Sequence, residues 1–139
     1  MGFVIDTCIW VNVERGALAP ADVATISGDE PVYLSPVTIA ELKFGAEIAK
    51  TPEVRQKRLA SIHRLLRKPI LRIDEVTGDI FGSLAAALRS AGRGAHTHRI
   101  QDLWIASQAI QHGMKLLTQN EKDFTDIPGL DLVLLKPAP

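Results

Sequence analysis

The sequence predicts an α/β fold: a sandwich with a central parallel sheet of about five strands, covered by helices on both faces. The first reason is alternation. Short apolar runs at 3–5 (FVI), 32–35 (VYLS), 70–73 (ILRI), 115–118 (KLLT) and 132–135 (LVLL) are separated by segments of helical periodicity. The second is size and composition. The chain has 139 residues, 46% apolar and 23% charged, with no repeat, low-complexity tract or dividing linker. One domain spanning 1–139 with a single proper core accounts for that.

Each element has a local justification. FVI is a buried strand, and Thr7 is placed to cap the helix behind it, with Ile9, Trp10 and Val13 on one side and Gly16 as the break. Pro20 opens a second short helix. After the VYLS strand, Pro36 sits where a first helical turn tolerates it, and the helical pattern runs from Val37 to about Ala49. Thr51-Pro52-Glu53 starts another helix running towards Arg67. Beyond ILRI, an alanine-rich helix covers 75 to about 91 and closes at Gly92 and Gly94. The last long helix spans Ile100 to His112 and is closed by Gly113, before the KLLT and LVLL strands.

Composition narrows the function classes. No apolar run is long enough to cross a bilayer, and MGFVIDTCIW lacks the charged and apolar regions of a signal peptide. One cysteine, Cys8, has no partner for an internal disulfide, so a cytoplasmic location is expected. Net charge is zero yet unevenly spread. Between Lys43 and Arg72 lie nine basic and two acidic residues, which leaves seven basic and fourteen acidic residues elsewhere. The plain reading of the basic segment is a solvated helix face; the sharper one is a phosphate-attracting surface beside an acidic site.

The acids carry the chemistry. In a parallel sheet, ligands bind beyond the carboxyl ends of the strands, and Asp6 directly follows the first strand. Glu41 shares a helical stripe with Val37, Phe44 and Ile48, although Thr38-x-x-Glu41 also fits a capping box. Asp102 starts the inward face formed by Ile105, Ala106 and Ala109, or serves as an ordinary first-turn acid. Asn120 and Asp123 lie in the turn after KLLT, where such residues are also common turn formers. All five map to one edge of the sheet. Carboxylates gathered there repel one another unless a cation neutralises them, and an all-oxygen donor set points to Mg²⁺ or Mn²⁺.

FVIDTCIW, SPVTIAELKFG, DLWIASQA and LLTQNEKDF resemble, in that order, the four signature blocks of the PIN domain. Within that family the size and pattern are similar to VapC-type toxins of bacterial toxin–antitoxin pairs, over Phe3 to about Leu135. The resemblance implies a three-layer α/β/α sandwich and a metal-dependent endoribonuclease cleaving structured RNA such as tRNA or rRNA. It implies Asp6 and Asp102 as metal ligands and Glu41 as a third acid, acting directly or through a water. It also implies a homodimer and a cognate antitoxin as partner. Many relatives carry an aspartate where this chain has Asn120, and Asp123 stands ready to supply that acid. The alternative is a PIN-like module that binds RNA or a partner without cutting.

Other residues carry less. His96-x-His98 has no third imidazole or thiolate near by; with Arg99 it is better suited to touching RNA phosphates than to holding a metal. Trp10 and Trp104 sit in apolar helical patterns and read as packing. Cys8 has no assignable base, and Thr7 and Thr118 are placed to bond the carboxylates. A haloacid-dehalogenase-type enzyme would need an acid at position 8, and a receiver domain would need an acid beside Asp6. Neither fits.

Overall fold

The computed structural model describes residues 2–93 and 99–136. Among them, β1 (Phe3–Ile5), β2 (Val32–Tyr33), β3 (Lys115–Thr118) and β4 (Asp131–Leu134) form one parallel sheet in the order β2-β1-β3-β4. Register is set by Phe3 opposite Val32 on one side and Ile5 opposite Leu117 on the other. Connecting them are α1 (Thr7–Glu14), α2 (Pro20–Ser27), α3 (Pro36–Glu47), α4 (Pro52–Leu65), α5 (Glu75–Ser90), α6 (Ile100–Gln111) and the single turn α7 (Glu121–Phe124).

The two-residue period of a strand divides the core. Phe3, Ile5 and Leu117 face one side and pack with Ile9, Trp10, Val23 and Leu34. Val4 and Leu116 face the other side and pack with Leu84 and Leu88 of α5 and with Leu103, Ile105 and Ala109 of α6. Each fully buried Leu or Ile contributes about 1.5–3 kcal/mol of transfer free energy, and the two clusters make the sheet the middle of three layers. Trp10 is 7% exposed with Lys68 5.7 Å above its ring, and Trp104 stacks on Phe81 at 4.2 Å. Both tryptophans pack as expected.

The expected fifth strand is corrected. ILRI contributes one bridge, Ile70 to Leu34, in which Leu34 N–H donates to Pro69 O (2.9 Å) and Leu71 N–H to Leu34 O (2.8 Å). The ladder cannot lengthen, because Pro69 has no N–H, Ser35 already caps α3, and Asp74 caps α5 three residues after Leu71. The helix-capping expectation for Thr7 also shifts by one residue. Asp6 is the N-cap of α1, its Oδ1 accepting from Thr7 N–H at 2.8 Å. The His96-x-His98 motif lies outside the described residues. No helix among the described residues is long and apolar enough to cross a membrane.

The sheet order decides where a site can form. From β1 the chain steps to β2 on one side, then returns with β3 on the other. The crevice beyond the carboxyl ends of β1 and β3 is the switch point of the sheet.

Candidate active site

Asp6 stands at that point. Its backbone N–H still bonds to Leu117 O (2.9 Å), so the strand ladder holds it until the moment α1 begins. The side chain is 3% exposed, and both of its oxygens accept hydrogen bonds. Oδ1 caps α1, while Oδ2 accepts from Thr118 Oγ1 at 2.7 Å and from Cys8 Sγ at 3.2 Å. Burial raises its pKa, and the bonds from Thr118, Cys8 and Thr7 pull against that. Thr118 is completely buried and uses both sides of its hydroxyl, since its Oγ1 also accepts Asn120 N–H at 3.0 Å.

Glu41 reaches the same place from α3. Its Oε1 accepts from Thr7 Oγ1 (2.9 Å), and Thr7 Oγ1 shares a further 3.0 Å bond with Thr38 Oγ1. The capping-box alternative is therefore overturned: Ser35 caps α3 through Val37 N–H, and Glu41 points at α1 instead of back at its own first turn. Burial raises the Glu41 pKa; the Thr7 bond lowers it and the charge of Asp6 adds to the rise.

Asp102, in the first turn of α6, is different in kind. Among the described residues no hydrogen bond reaches its carboxylate. Its pKa is pushed up to about 7, by burial first and then by repulsion from Asp6, Asp123 and Glu41, against a smaller pull from Arg99. Asp6, Glu41, Asp102 and Asn120 line one open cleft of about 350 Å³. Asp123 is outside that lining, yet its charge acts on both Asp6 and Asp102. The structure thus brings four of the five expected residues to the cleft wall and keeps the fifth within electrostatic reach.

Several neighbours were missed or misread in the sequence. Asn12 lines the cleft and donates to Gln119 Oε1 at 2.6 Å, and Arg15 lines it one turn further along α1. Their spacing from Cys8, four and seven residues, is one helical face and could have flagged them. Arg99 is engaged within the chain: it donates to Asp126 Oδ1 at 2.9 Å. Cys8 also lines the cleft, but burial and the charge of Asp6 push its thiol up to about 11, so it stays protonated and is no nucleophile.

The donor set suits a hard cation, being carboxylate and amide oxygen throughout. Among the described residues no three Asp, Glu, His or Cys side chains already close on a common point. Asp6, Glu41 and Asp102 line the cleft without converging on one point.

The PIN domain family matches residues 3–130. The chain therefore belongs to the PIN domain family. Within it, Ribonuclease VapC5 of Mycobacterium tuberculosis is 32% identical over 131 residues, covering 91% of this chain and 87% of that protein. A solved member of the VapBC family of toxin–antitoxin systems, VapBC-5 from the same organism, superposes with a TM-score of 0.76 at 29% identity, covering 97% of this chain and 98% of its own. VapBC2 from Rickettsia felis, bound to a promoter DNA fragment, reaches 0.83 at 23% identity over 96% and 98%, a likeness of fold.

Proposed function

We propose that this protein is a Mg²⁺- or Mn²⁺-dependent endoribonuclease acting on structured RNA, tRNA or rRNA, and the toxin of a toxin–antitoxin pair. The observation that carries it is Asp102, a half-buried carboxylate with no hydrogen bond among the described residues, repelled by three other acids and raised to about 7. Such a group is costly unless a cation sits beside it. The ribonuclease name of the M. tuberculosis relative and the toxin–antitoxin assembly of VapBC-5 support the rest.

Asp6, Asp102 and Glu41 would hold the ion. Bound there, it supplies a Lewis acid for the phosphoryl oxygens and a lowered pKa for the attacking water. Asp6 is fixed in direction by Thr118 and by its own cap of α1, so the chain spends no ordering free energy on it during reaction. Glu41, half-buried and bonded to Thr7 on one oxygen only, keeps its other oxygen to accept the proton of the attacking water. In-line attack then breaks the bond to the 3′ oxygen, leaving 5′-phosphate and 3′-hydroxyl ends. Asn120 orients without adding charge, and Asp123 supplies the outer negative field.

The exposed Phe44 (65%) and Ile48 (61%), one turn apart at α3, give a homodimer its apolar surface. A cognate antitoxin completes the reading. The test is cleavage of a tRNA and rRNA panel in Mg²⁺, Mn²⁺ or EDTA, with Asp6→Asn alongside. Metal-dependent cutting lost in the variant supports the proposal. Binding without cutting by both proteins would favour the alternative that Asn120 keeps open, a PIN-like module that holds RNA or a partner.

A further inference from the structure

A cleft walled by carboxylates repels the polyanion it has to admit wherever no bound ion offsets them, so a cation in its lining bears directly on how the flanking phosphates are seated. Among its lining residues one is a cation, Arg15. Elsewhere many basic side chains are committed: Lys43 and Arg55 to Glu47, Arg93 and Arg99 to Asp126, Arg58 to Gly45 O, Lys68 to the Trp10 ring. Arg15 is exposed, and no hydrogen bond or ion pair among the described residues engages its guanidinium. It keeps that freedom although Glu14 and Glu41 line the adjoining groove with it.

Its place on the backbone is fixed. Arg15 is the C-cap of α1, and Gly16, at φ 81°, turns the chain away directly behind it. The eight steps from Thr7 to Arg15 span about 12 Å of helix, and helical side chains lean towards the N-terminus, here towards Asp6. Cys8, Asn12 and Arg15 therefore form one strip leading from the acids to the rim. Arg15 and Glu41 also line the neighbouring groove between α1, α3 and α4, so Arg15 stands where the cleft opens into it.

We propose that Arg15 binds the RNA phosphate adjacent to the scissile one, and so seats the strand along α1 with its reacting bond over the acids. A guanidinium makes paired hydrogen bonds to phosphate oxygens that an ammonium reproduces only in part. The inference rests on the nuclease reading above and deepens it.

Two measurements on Arg15→Gln and Arg15→Lys test it. The first is steady-state cleavage of unfractionated tRNA in Mn²⁺. The second is binding of a short labelled single-stranded RNA in EDTA across a salt series. Expected for Arg15→Gln is a KM raised about tenfold with kcat changed less than about twofold. The slope of log Kd against log salt should drop by about 0.7, one phosphate contact on a single strand. Arg15→Lys should keep the wild-type salt slope and recover part of the KM loss. Unchanged KM and salt slope in Arg15→Gln would overturn the inference, as would a loss confined to kcat. If wild type itself cuts nothing in metal, the nuclease reading fails, and the salt slope alone then decides whether Arg15 holds phosphate.

Discussion

Thr118 Oγ1 donates to Asp6 Oδ2 at 2.7 Å, tying the carboxyl ends of β1 and β3 together between residues 112 apart in sequence. The same hydroxyl accepts Asn120 N–H, so one buried atom sets the direction of an acid and the start of the next turn. Thr118→Val, nearly equal in volume, removes both bonds and takes from the buried Asp6 Oδ2 its hydroxyl donor. We expect a loss of about 1–3 kcal/mol in urea unfolding and a fall in kcat of at least about tenfold, the cost of a misdirected group. Thr118→Ser should restore most of both. Equal kcat in wild type and Thr118→Val would show that Asp6 needs no such anchor.

Asp102 makes the metal-free protein pH-sensitive in a definite direction. Its folded pKa of about 7 lies above its usual value, so its contribution to stability is full under acid conditions and lost as pH rises through about 7. In EDTA, Asp102→Asn should therefore melt a few degrees above wild type at pH 8 and level with it near pH 4. A divalent ion competes with that proton. Mn²⁺ affinity should rise between pH 6 and 8, with proton release visible when calorimetry is repeated in buffers of different ionisation enthalpy. A pH-independent affinity would remove Asp102 from the ligand set.

Asp126 behaves in the opposite sense. Burial alone would push its carboxyl up, but the hydrogen bond and charge of Arg99, with a further bond from Arg93, hold it below the ordinary value. Stability from this cluster is present above the usual carboxylate pKa and lost as pH falls through the depressed one. Arg99→Met should cost about 1–3 kcal/mol near neutrality, and the gap to wild type should narrow below about pH 4. A gap that stays constant on acidification would mean the loss is packing and not charge.

Phe44 reports on self-association. It is 65% exposed on α3, so Phe44→Glu removes no buried contact within the chain. Light scattering should find wild type dimeric and the variant monomeric, while its circular dichroism spectrum stays that of wild type. A monomeric wild type would show that the Phe44–Ile48 surface serves some other contact.

Core packing gives the stability reference. Leu88 is 2% exposed among residues of α5, α6 and the sheet, and Leu88→Ala should cost about 2–5 kcal/mol in urea unfolding.

Helix and strand identities were legible in the sequence wherever a local rule acts. Gly16 and Gly113, at φ 81° and 63°, end α1 and α6 because few other residues adopt that backbone. KLLT is a strand over the residues expected. ILRI obeys the same rule of apolarity and still fails to form a strand, because pairing needs a partner with free N–H and C=O groups, and Leu34 offers just one register beside Pro69. Apolarity is local; ladder length is not.

The site divides in the same way. That Asp6, Glu41, Asp102 and Asn120 belong to one edge is readable from chain order, since each comes at a strand end or in the helix that follows, and parallel topology sends those positions to one side. Whether each carboxylate is bonded or bare is a matter of distance between residues far apart in the chain, and that distance is set by packing. Packing gave Asp6 to Thr118, Glu41 to Thr7 and Arg99 to Asp126, and among the described residues it left the side chains of Asp102 and Arg15 without a hydrogen-bond or ion-pair partner. A residue's type is written in the chain, whereas its electrostatic surroundings exist only once β1, β3, α3 and α6 have packed around the switch point.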